Sequence, residues 1–461
     1  YTIASVSQEF RPQGVRVMNA PLHVWHPFTQ EALDPPPLRI TRAQGVYLYT
    51  AGGRGIIDAI SSWWVNLHGH CHPAIMSAIA EQTAKIDHVL LAGFTHDRIE
   101  ELAACLRKVL PRELDSIFFS DDGSTAVEVA LKIAVQYWQN VGRPRKISIV
   151  ALEHAYHGDT VGAMSVGARS AFSEPFRSFL FPVHRVHSAY CYRCPVGKTR
   201  ATCDIDCVGQ LAQLLEEKHA EIAAVIVEPL LQGAGGMIVH PQEFLQRVRQ
   251  LCSEYGVLLI ADEVLTGFAR CGKMFACELA GVVPDIMCLS KGITGGVLPL
   301  AATVCTPEIH RAFVSDDRGR TFYHGHSYTG NPIAAAAAVA SFKIFENEPV
   351  FDRISAISAI HQQRLTAIEN HPAVGDVRSI GTVAAIELRA DDPGYFSRLR
   401  PKLYDFFLRA GVLLRPLGNV IYVLPPYCIT AEELHYVHDR IAESLDHVAQ
   451  WSAPPRARGA H

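Results

Sequence analysis

The sequence predicts an α/β protein built on one mostly parallel sheet, with a second, smaller α+β domain. Short apolar runs rich in Val, Leu and Ile recur through the middle of the chain, and helical patterns separate them. Runs of this kind are typical of strands buried on both faces, because helices cover the sheet. The predicted strands of this sheet are residues 116–119, 147–152, 222–227, 257–261, 286–289 and 301–305.

The length of the chain predicts more than one domain. A chain of 461 residues, 49% of them apolar, exceeds what a single hydrophobic core usually organises. We expect an N-terminal arm with part of the small domain in residues 1–70, a large domain over 71–330, and a C-terminal small domain over 331–461. The elements expected outside the large domain are a hairpin within 46–60, a helix at 331–346 and strands at 383–388, 412–415 and 421–424.

Charge and hydropathy exclude two classes of partner. The formal net charge is −4 and no basic face or acidic tail is present, so neither nucleic acid nor an anionic membrane is an expected partner. No apolar stretch is long enough to span a bilayer, and the first twenty residues lack an apolar core of signal-peptide length. We therefore expect a cytoplasmic protein whose ligands are small molecules.

Two groups of residues have the composition of metal ligands, and each also has a plain structural interpretation. Four of the twelve cysteines form a C-x2-C pair and a C-x3-C pair in a polar stretch, which is either a zinc site or a surface loop: Cys191, Cys194, Cys203 and Cys207. Histidines at 68, 70 and 72 either share one face of a strand or belong to a turn into the next helix. The plain interpretation is favoured in both places, so no metal site is predicted.

Two charged residues follow buried strands of the predicted sheet. Asp262 follows the run 257–261, and Lys291 follows the run 286–289. Ligands bind parallel sheets at the carboxyl ends of the strands, where both side chains emerge. A carboxylate facing a lysine beside a cavity is what pyridoxal phosphate (PLP) requires: the lysine forms the Schiff base and the carboxylate keeps the pyridine nitrogen protonated. The alternative is a core ion pair, and these two segments alone leave both interpretations open.

A turn suited to a phosphate group follows the strand 116–119. Gly123 allows the backbone to approach a ligand closely, and Ser124 stands at the start of an amphipathic helix whose free amides favour a dianion. Thr125 and Glu128 have the spacing of a capping box, which is the purely structural interpretation of the same turn. Two more strand ends carry Tyr156, whose ring is suited to stacking on a planar cofactor, and Glu228.

Taken together, these motifs resemble the class III PLP-dependent aminotransferases over nearly the whole chain. The resemblance implies fold type I of the PLP-dependent transferases, with a mostly parallel seven-stranded sheet in the large domain. The residues that carry it are Ser120-Asp121-Asp122-Gly123-Ser124, Tyr156-His157-Gly158, Val227-Glu228-Pro229, Ala261-Asp262-Glu263-Val264, Ser290-Lys291-Gly292 and Gly325-His326-Ser327-Tyr328-Thr329-Gly330-Asn331-Pro332.

The resemblance also implies a role for each matching position. Lys291 is the Schiff-base lysine and proton carrier, and Asp262 pairs with the pyridinium nitrogen. Tyr156 stacks on the ring, and Glu228 belongs to the same pocket. Gly123 and Ser124 hold the phosphate, together with Ser327 of the neighbouring subunit. A shared active site of this kind implies a homodimer.

Narrower features resemble the branch of the family that aminates 8-amino-7-oxononanoate in biotin synthesis. In that branch Trp63, Arg270 and Arg415 match positions of the substrate channel, and Arg415 is the candidate for the distal carboxylate because a guanidinium grips a carboxylate bidentately. Members that use S-adenosylmethionine as amino donor usually carry Tyr at the position of Phe28. The missing hydroxyl favours lysine or another diamine as donor. The features are Leu22-His23-Val24-Trp25-His26-Pro27-Phe28, Ser61-Ser62-Trp63-Trp64, Gly267-Phe268-Ala269-Arg270 and Leu414-Arg415-Pro416-Leu417.

Two other functions remain open at this point. The first keeps the fold and the cofactor in a broad ω-amine or diamine:pyruvate aminotransferase. The second is a non-catalytic scaffold on the same fold, which the presence of Lys291, Asp262 and the phosphate turn disfavours.

Overall fold

The computed structural model describes residues 23–170 and 172–452, so the first twenty residues lie outside the described part of the chain. The described residues contain the strands β1 Ile40–Gln44, β2 Tyr47–Thr50, β3 Gly55–Asp58, β4 Ser116–Ser120, β5 Ser148–Leu152, β6 His184–Val186, β7 Ile222–Val227, β8 Leu231–Gln232, β9 Ile238–Val239, β10 Leu258–Asp262, β11 Ile286–Leu289, β12 Ala301–Cys305, β13 Val374–Ile380, β14 Val383–Leu388, β15 Val412–Leu413 and β16 Val420–Val423.

The central sheet has seven strands in the order β4-β12-β11-β10-β7-β5-β6. Strand β12 runs antiparallel to both of its neighbours, whereas the other pairs are parallel. The prediction of a mostly parallel sheet is confirmed. Asp262, the last residue of β10, pairs in register with Cys288 of β11. Lys291 follows β11 after one further residue, so the two strand ends that carry Asp262 and Lys291 are adjacent.

Helices cover both faces of this sheet, and the helix Pro332–Asn347 is buried along most of its length. Five consecutive alanines in it allow close packing against the helices Pro73–Thr83 and Asp97–Val109. The α-helices of the described residues also include Val161–Val166, Gly123–Asn140, Gly209–Lys218, Gln242–Glu254, Ala276–Leu279, Pro307–Arg311, Val350–Thr366, Leu399–Arg409, Ala431–Leu445 and Val448–Ser452.

Three smaller sheets lie outside the central one. Strands β1, β2 and β3 form a four-stranded sheet with β15, so segments within 40–58 and 412–413 share one sheet. Strands β13, β14 and β16 form an antiparallel sheet, and β8 pairs with β9. The predicted strand 412–415 ends earlier, at Leu413, which leaves Arg415 in the connection that follows. Among the described residues, no helix has both the length and the apolar character that a membrane crossing needs.

Candidate active site

Lys291 lies at the carboxyl end of β11 in a strained backbone conformation. Its φ of 45° is in the left-handed region, which costs a non-glycine residue about 1–3 kcal/mol. The Nζ atom lies 4.9 Å from the centre of the Trp64 ring. Burial lowers the pKa of Lys291 to about 8, although the charges of Asp262 and Glu228 act to raise it. The residue is therefore an amine that loses its proton far more readily than an ordinary lysine.

Asp262 is almost fully buried and retains hydrogen-bonding capacity. Its Oδ2 accepts from His157 Nδ1 at 2.6 Å, and its Oδ1 accepts from the amide of Val264 at 3.1 Å. A carboxylate has about four acceptor positions, so the two bonds leave capacity for a further donor. Burial acts to lower the pKa of His157, but the hydrogen bond to Asp262 and the nearby carboxylate charges outweigh it and raise the pKa. The buried Nε2 of His157 has no partner among the described residues.

Glu228 fixes the backbone of the Tyr156 loop. Its two oxygens accept from the amides of Tyr156 at 2.9 Å and Gly233 at 3.0 Å. Burial raises the pKa of Glu228 to about 7, and the charge of His157 opposes this shift. Burial, together with Asp159, also raises the pKa of Tyr156, so its phenol stays neutral. Glu228 thus holds the loop from beneath, and Tyr156 lines the cavity described below.

The turn that starts the helix Gly123–Asn140 is shaped like a cradle for an anion. The amides of Gly123 and Ser124 have no acceptor within the described ranges 23–170 and 172–452. A Cβ on Gly123 would approach Val264 Cγ1 to 2.6 Å, and one on Gly158, whose φ is 128°, would collide with the Ser124 hydroxyl. Side chains therefore pack closely against both glycines, and the two free amides stand at a helix N-terminus, where an anion is favoured.

The capping of this helix differs from the sequence interpretation. The capping box joins Asp122 and Thr125, three residues earlier than the predicted pair of Thr125 and Glu128. Glu128 instead accepts from the Thr160 hydroxyl at 2.6 Å and from the amides of Gly162 and Ala163. The Glu128 carboxylate therefore ties the helix to the segment that follows Gly158.

Trp63 and Trp64 are held in a tight turn that a buried carboxylate stabilises. Ser61, Ser62 and Trp64 all have positive φ. Asp58 accepts from the amide and the hydroxyl of Ser62 and, at 2.8 Å, from His70 Nε2. Left-handed conformations cost about 1–2 kcal/mol per residue, so the turn needs such compensation. Trp64 is fixed further by a 2.9 Å bond from its Nε1 to the Tyr422 hydroxyl.

Replacing Asp58 by asparagine is expected to loosen this turn. The amide keeps the volume but presents a donor where Oδ2 now accepts from Ser62 and His70. We expect the free energy of unfolding to fall by about 1–3 kcal/mol, measured by chemical denaturation. The near-ultraviolet circular dichroism of the tryptophans is expected to change as well. Ser62→Ala removes only the hydroxyl bond and serves as the graded control. Unchanged stability and an unchanged tryptophan spectrum in D58N would contradict this role.

A cavity of about 500 Å³ opens next to these groups. Trp63 forms part of its wall, with the Arg415 guanidinium 4.6 Å from its ring centre and the Phe28 ring at 5.4 Å. Lys291 is not itself a lining residue, but Trp64, beside its ammonium group, is. The structure thus brings five predicted residues to one cavity or its edge: Phe28, Trp63, Tyr156, Lys291 and Arg415.

Arg270 and Ser327 lie elsewhere. Arg270 is fully buried and donates at 2.8 Å to the carbonyls of Pro425 and Asn66, so it braces two segments behind the cavity. It is not among the residues that line the cavity, and the substrate contact that the resemblance implies stays a prediction. Ser327 is exposed on the surface of the single chain, and its hydroxyl has no hydrogen-bond partner in the described residues.

The candidate metal ligands do not form a site. The three histidines bond to different partners: His68 to Ser341, His70 to Asp58 and His72 to Glu348. The four cysteines of the polar stretch are free thiols. Across the described part of the chain, no group of three or more His, Cys, Asp or Glu side chains is arranged to hold a metal ion.

Sequence reasoning missed a second set of polar residues in the cavity wall. Tyr190, Arg193 and Glu387 line the cavity and bond to one another. Arg193 lies between Cys191 and Cys194 of the C-x2-C pair. This cysteine pattern is the local sequence feature that could have directed attention to the stretch.

Comparison with known proteins identifies similar chains over almost the whole length. The family model for class-III aminotransferases matches residues 28–445. The adenosylmethionine-8-amino-7-oxononanoate aminotransferase of Synechococcus elongatus is 46% identical over 92% of this chain and 99% of its own length. The enzyme of the same name from Geobacter sulfurreducens is 42% identical over 92% and 95%.

Two solved structures are similar in fold. The adenosylmethionine-8-amino-7-oxononanoate aminotransferase of Methanocaldococcus jannaschii has a TM-score of 0.85 and 37% identity, covering 92% of this chain and 97% of that one. An amine transaminase from an uncultivated Pseudomonas species, in its PLP-bound form, has a TM-score of 0.88 and 33% identity, covering 93% and 100%.

Proposed function

The chain belongs to the class-III aminotransferases, and from this premise we propose that it transfers an amino group from an amine donor to 8-amino-7-oxononanoate in biotin synthesis. The product is 7,8-diaminononanoate, and the cofactor is pyridoxal 5′-phosphate. The observation that carries the proposal is the cavity itself, whose wall holds the Arg415 guanidinium beside Trp63 and, at Trp64, borders the Lys291 amine. The relatives that match along almost their entire length support it.

The residues present fit the cofactor. Asp262 has acceptor capacity left for a pyridinium N–H, and Lys291 is a buried amine of lowered pKa. The Gly123 and Ser124 amides would hold the phosphate at the helix N-terminus. When bound, the cofactor supplies an electron sink that stabilises negative charge on the substrate carbon next to the nitrogen.

The chain's own residues then orient the reactants and move the proton. Lys291, whose pKa is about 8, becomes largely neutral only as the pH rises above that value, and its neutral form can take a proton from the substrate carbon at Nζ. His157 donates to Asp262 and keeps that carboxylate in place. Glu228 holds the Tyr156 backbone, so that the ring faces the cavity. Arg415 offers its guanidinium to the distal carboxylate of the keto acid.

The neighbouring subunit completes the site in this proposal. Ser327 is the candidate for a phosphate contact across a homodimer, because it is exposed and its hydroxyl has no bond within the described residues. Tyr323 and Tyr328 on the same segment are 74% and 66% exposed, which is unusual for aromatic side chains and favours burial against a second copy of the chain.

The amino donor is proposed to be lysine or another diamine. Phe28 contacts Trp63 at the cavity and brings no hydroxyl, and Leu417 adds a second apolar side chain to the lining. S-adenosylmethionine is the donor in the printed name of the relatives, and it is the alternative. A broad amine aminotransferase is the second candidate function, because the amine transaminase structure is as similar in fold as the M. jannaschii enzyme.

A titration of the holoenzyme tests the function and the donor together. We expect L-lysine or a simple diamine to bleach the visible cofactor band, and addition of 8-amino-7-oxononanoate to restore it with formation of 7,8-diaminononanoate. Bleaching by S-adenosylmethionine alone would overturn the donor assignment. Recovery with pyruvate but not with 8-amino-7-oxononanoate would overturn the acceptor assignment in favour of the broad amine aminotransferase. A purified protein without a cofactor band would favour a non-catalytic scaffold.

A further inference from the structure

The polar stretch that carries the four cysteines also contributes two side chains to the cavity wall, and neither of them is a cysteine. We call residues 190–207 the Arg193 loop. Its first part contributes Tyr190 and Arg193 to the cavity wall. In its second part, Lys198 pairs within the loop with Asp206 at 2.7 Å, and Arg200 pairs with Glu243 of the helix Gln242–Glu254 at 2.9 Å. The loop therefore presents one cationic side chain to the cavity from a tethered backbone.

Arg193 is anchored by a buried carboxylate of the antiparallel sheet. Its Nε and Nη2 both donate to Glu387 Oε1, at 3.0 and 2.6 Å. The Tyr190 hydroxyl donates to the other oxygen, which Arg378 Nη2 also approaches at 3.1 Å. The Glu387 side chain is only 4% exposed, whereas that of Arg193 is 49% exposed. One end of the ion pair is thus buried, and the other faces solvent in the cavity.

The pattern of bonds leaves one edge of the Arg193 guanidinium open. A guanidinium has five N–H donors, and Nε with Nη2 forms one of its two bidentate edges. Glu387 occupies that edge. The other edge is formed by Nη1 and Nη2, and Nη1 makes no hydrogen bond within the described part of the chain. A second carboxylate can therefore dock on Arg193 without displacing Glu387.

The neighbouring arginine shows what a purely structural role looks like. Arg378 is 10% exposed, and all its guanidinium nitrogens contact the protein. Its Nε donates to the carbonyl of Met237 and its Nη1 to Asp376, while its Nη2 donates to the carbonyl of Gly236 and lies close to Glu387. Its charge is shared between Asp376 and Glu387. Arg193 pairs with Glu387 through one edge only, and its other edge is available for a ligand.

We propose that Arg193 is a second carboxylate-binding residue of the cavity, which receives a carboxylate of one of the two substrates. This inference rests on the proposed function, because both half-reactions use the same cavity and L-lysine, S-adenosylmethionine and 8-amino-7-oxononanoate each carry a carboxylate. Arg415 stacks on Trp63 in another part of the wall and has no ion pair among the described residues. Two guanidinium groups allow the site to hold carboxylates at two different places. Glu387 and Tyr190 act through Arg193 as positioning residues.

The test compares ligands with and without the carboxylate in R193Q, R193K and wild-type holoenzyme. The donor arm uses whichever of L-lysine and S-adenosylmethionine reacts, beside its decarboxylated form. The acceptor arm uses 8-amino-7-oxononanoate beside its methyl ester. The apparent Kd is read from the visible cofactor band, and kcat is measured separately. Arg200→Gln is the matched control, since Arg200 lies in the same loop with the same 49% exposure but pairs with Glu243.

We expect R193Q to raise the apparent Kd of one carboxylate ligand by about 10- to 100-fold, the effect of a lost charge-assisted pair. Its uncharged counterpart is expected to change less than about twofold, and R193K to retain part of the affinity because it keeps the charge but not the fork. The arm that responds identifies the substrate. Equal losses for charged and uncharged ligands, or no loss in either arm, would overturn the proposal. Should R193Q fail to fold, R193K carries the comparison. A wild-type protein that aminates no acceptor would instead overturn the proposed function.

Discussion

Replacing Lys291 by alanine is expected to lower kcat by about 10⁴-fold, the upper end of what a positioned general base contributes, since the same amine also attaches the cofactor. The Nζ atom lies beside Trp64 with a pKa near 8 and has no hydrogen-bond partner within the described residues. No lysine is among the described residues that line the cavity, and Lys291 lies at its edge beside Trp64. Turnover of donor and acceptor, followed by mass spectrometry of the product, measures the loss.

Two further variants test whether activity depends on proton transfer by the Lys291 amine or only on its positive charge. Lys291→Arg keeps a cation in place but cannot lose its proton, so we expect it to be as inactive as K291A. Lys273 is an exposed lysine in the same region of the chain, and K273A is expected to retain wild-type turnover. Reduction of the wild-type holoenzyme with borohydride should label the peptide that contains Lys291. Activity of K291A within tenfold of wild type, or a label on another peptide, would refute the assignment.

The sequence predicts the central sheet well because its strands are apolar on both faces. Strands β7, β11 and β12 have the predicted bounds, β4 and β5 differ by one residue at one end, and β10 is shifted by one residue at both ends. The antiparallel direction of β12 was not predicted, since composition does not record the direction of a buried strand. Strand β13, with sequence VGDVRSI, was missed because a partly exposed strand with Gly, Asp and Arg carries no apolar run.

Residues at strand ends could be predicted, but residues that meet across the fold could not. Asp262 and Lys291 stand out because a charge follows each apolar run. The hydrogen bond between Arg193 and Glu387 joins positions 194 residues apart, and no local sequence pattern predicts it. Arg270 is a second example. The resemblance implies that it belongs to the substrate channel, and no sequence pattern predicts that two backbone carbonyls from distant segments accept from its guanidinium.

Replacing Asp262 by asparagine is expected to reduce kcat by about 10³-fold, because a neutral amide cannot hold a positive charge on the cofactor ring nitrogen. The variant preserves shape. Its oxygen can still accept from the His157 Nδ1–H, while its amide group replaces the acceptor that now receives the Val264 amide. We expect the variant to fold and to bind the cofactor more weakly, with a shifted visible band. The band position, the cofactor Kd and single-turnover rates of both half-reactions measure the effect.

Glu263 provides a matched control, because it is the next residue and is also fully buried. Its carboxylate accepts from the Thr266 hydroxyl and from the amides of Ala276 and Cys277, all within the fold. In Glu263→Gln one amide donor must face another, so we expect a loss of about 1–3 kcal/mol in stability with an unchanged cofactor band. We therefore expect D262N to lose mainly catalytic rate and E263Q to lose mainly stability against unfolding. If both lost stability alone, Asp262 would be a structural carboxylate like its neighbour, and the site would lack the charge that makes the ring an electron sink.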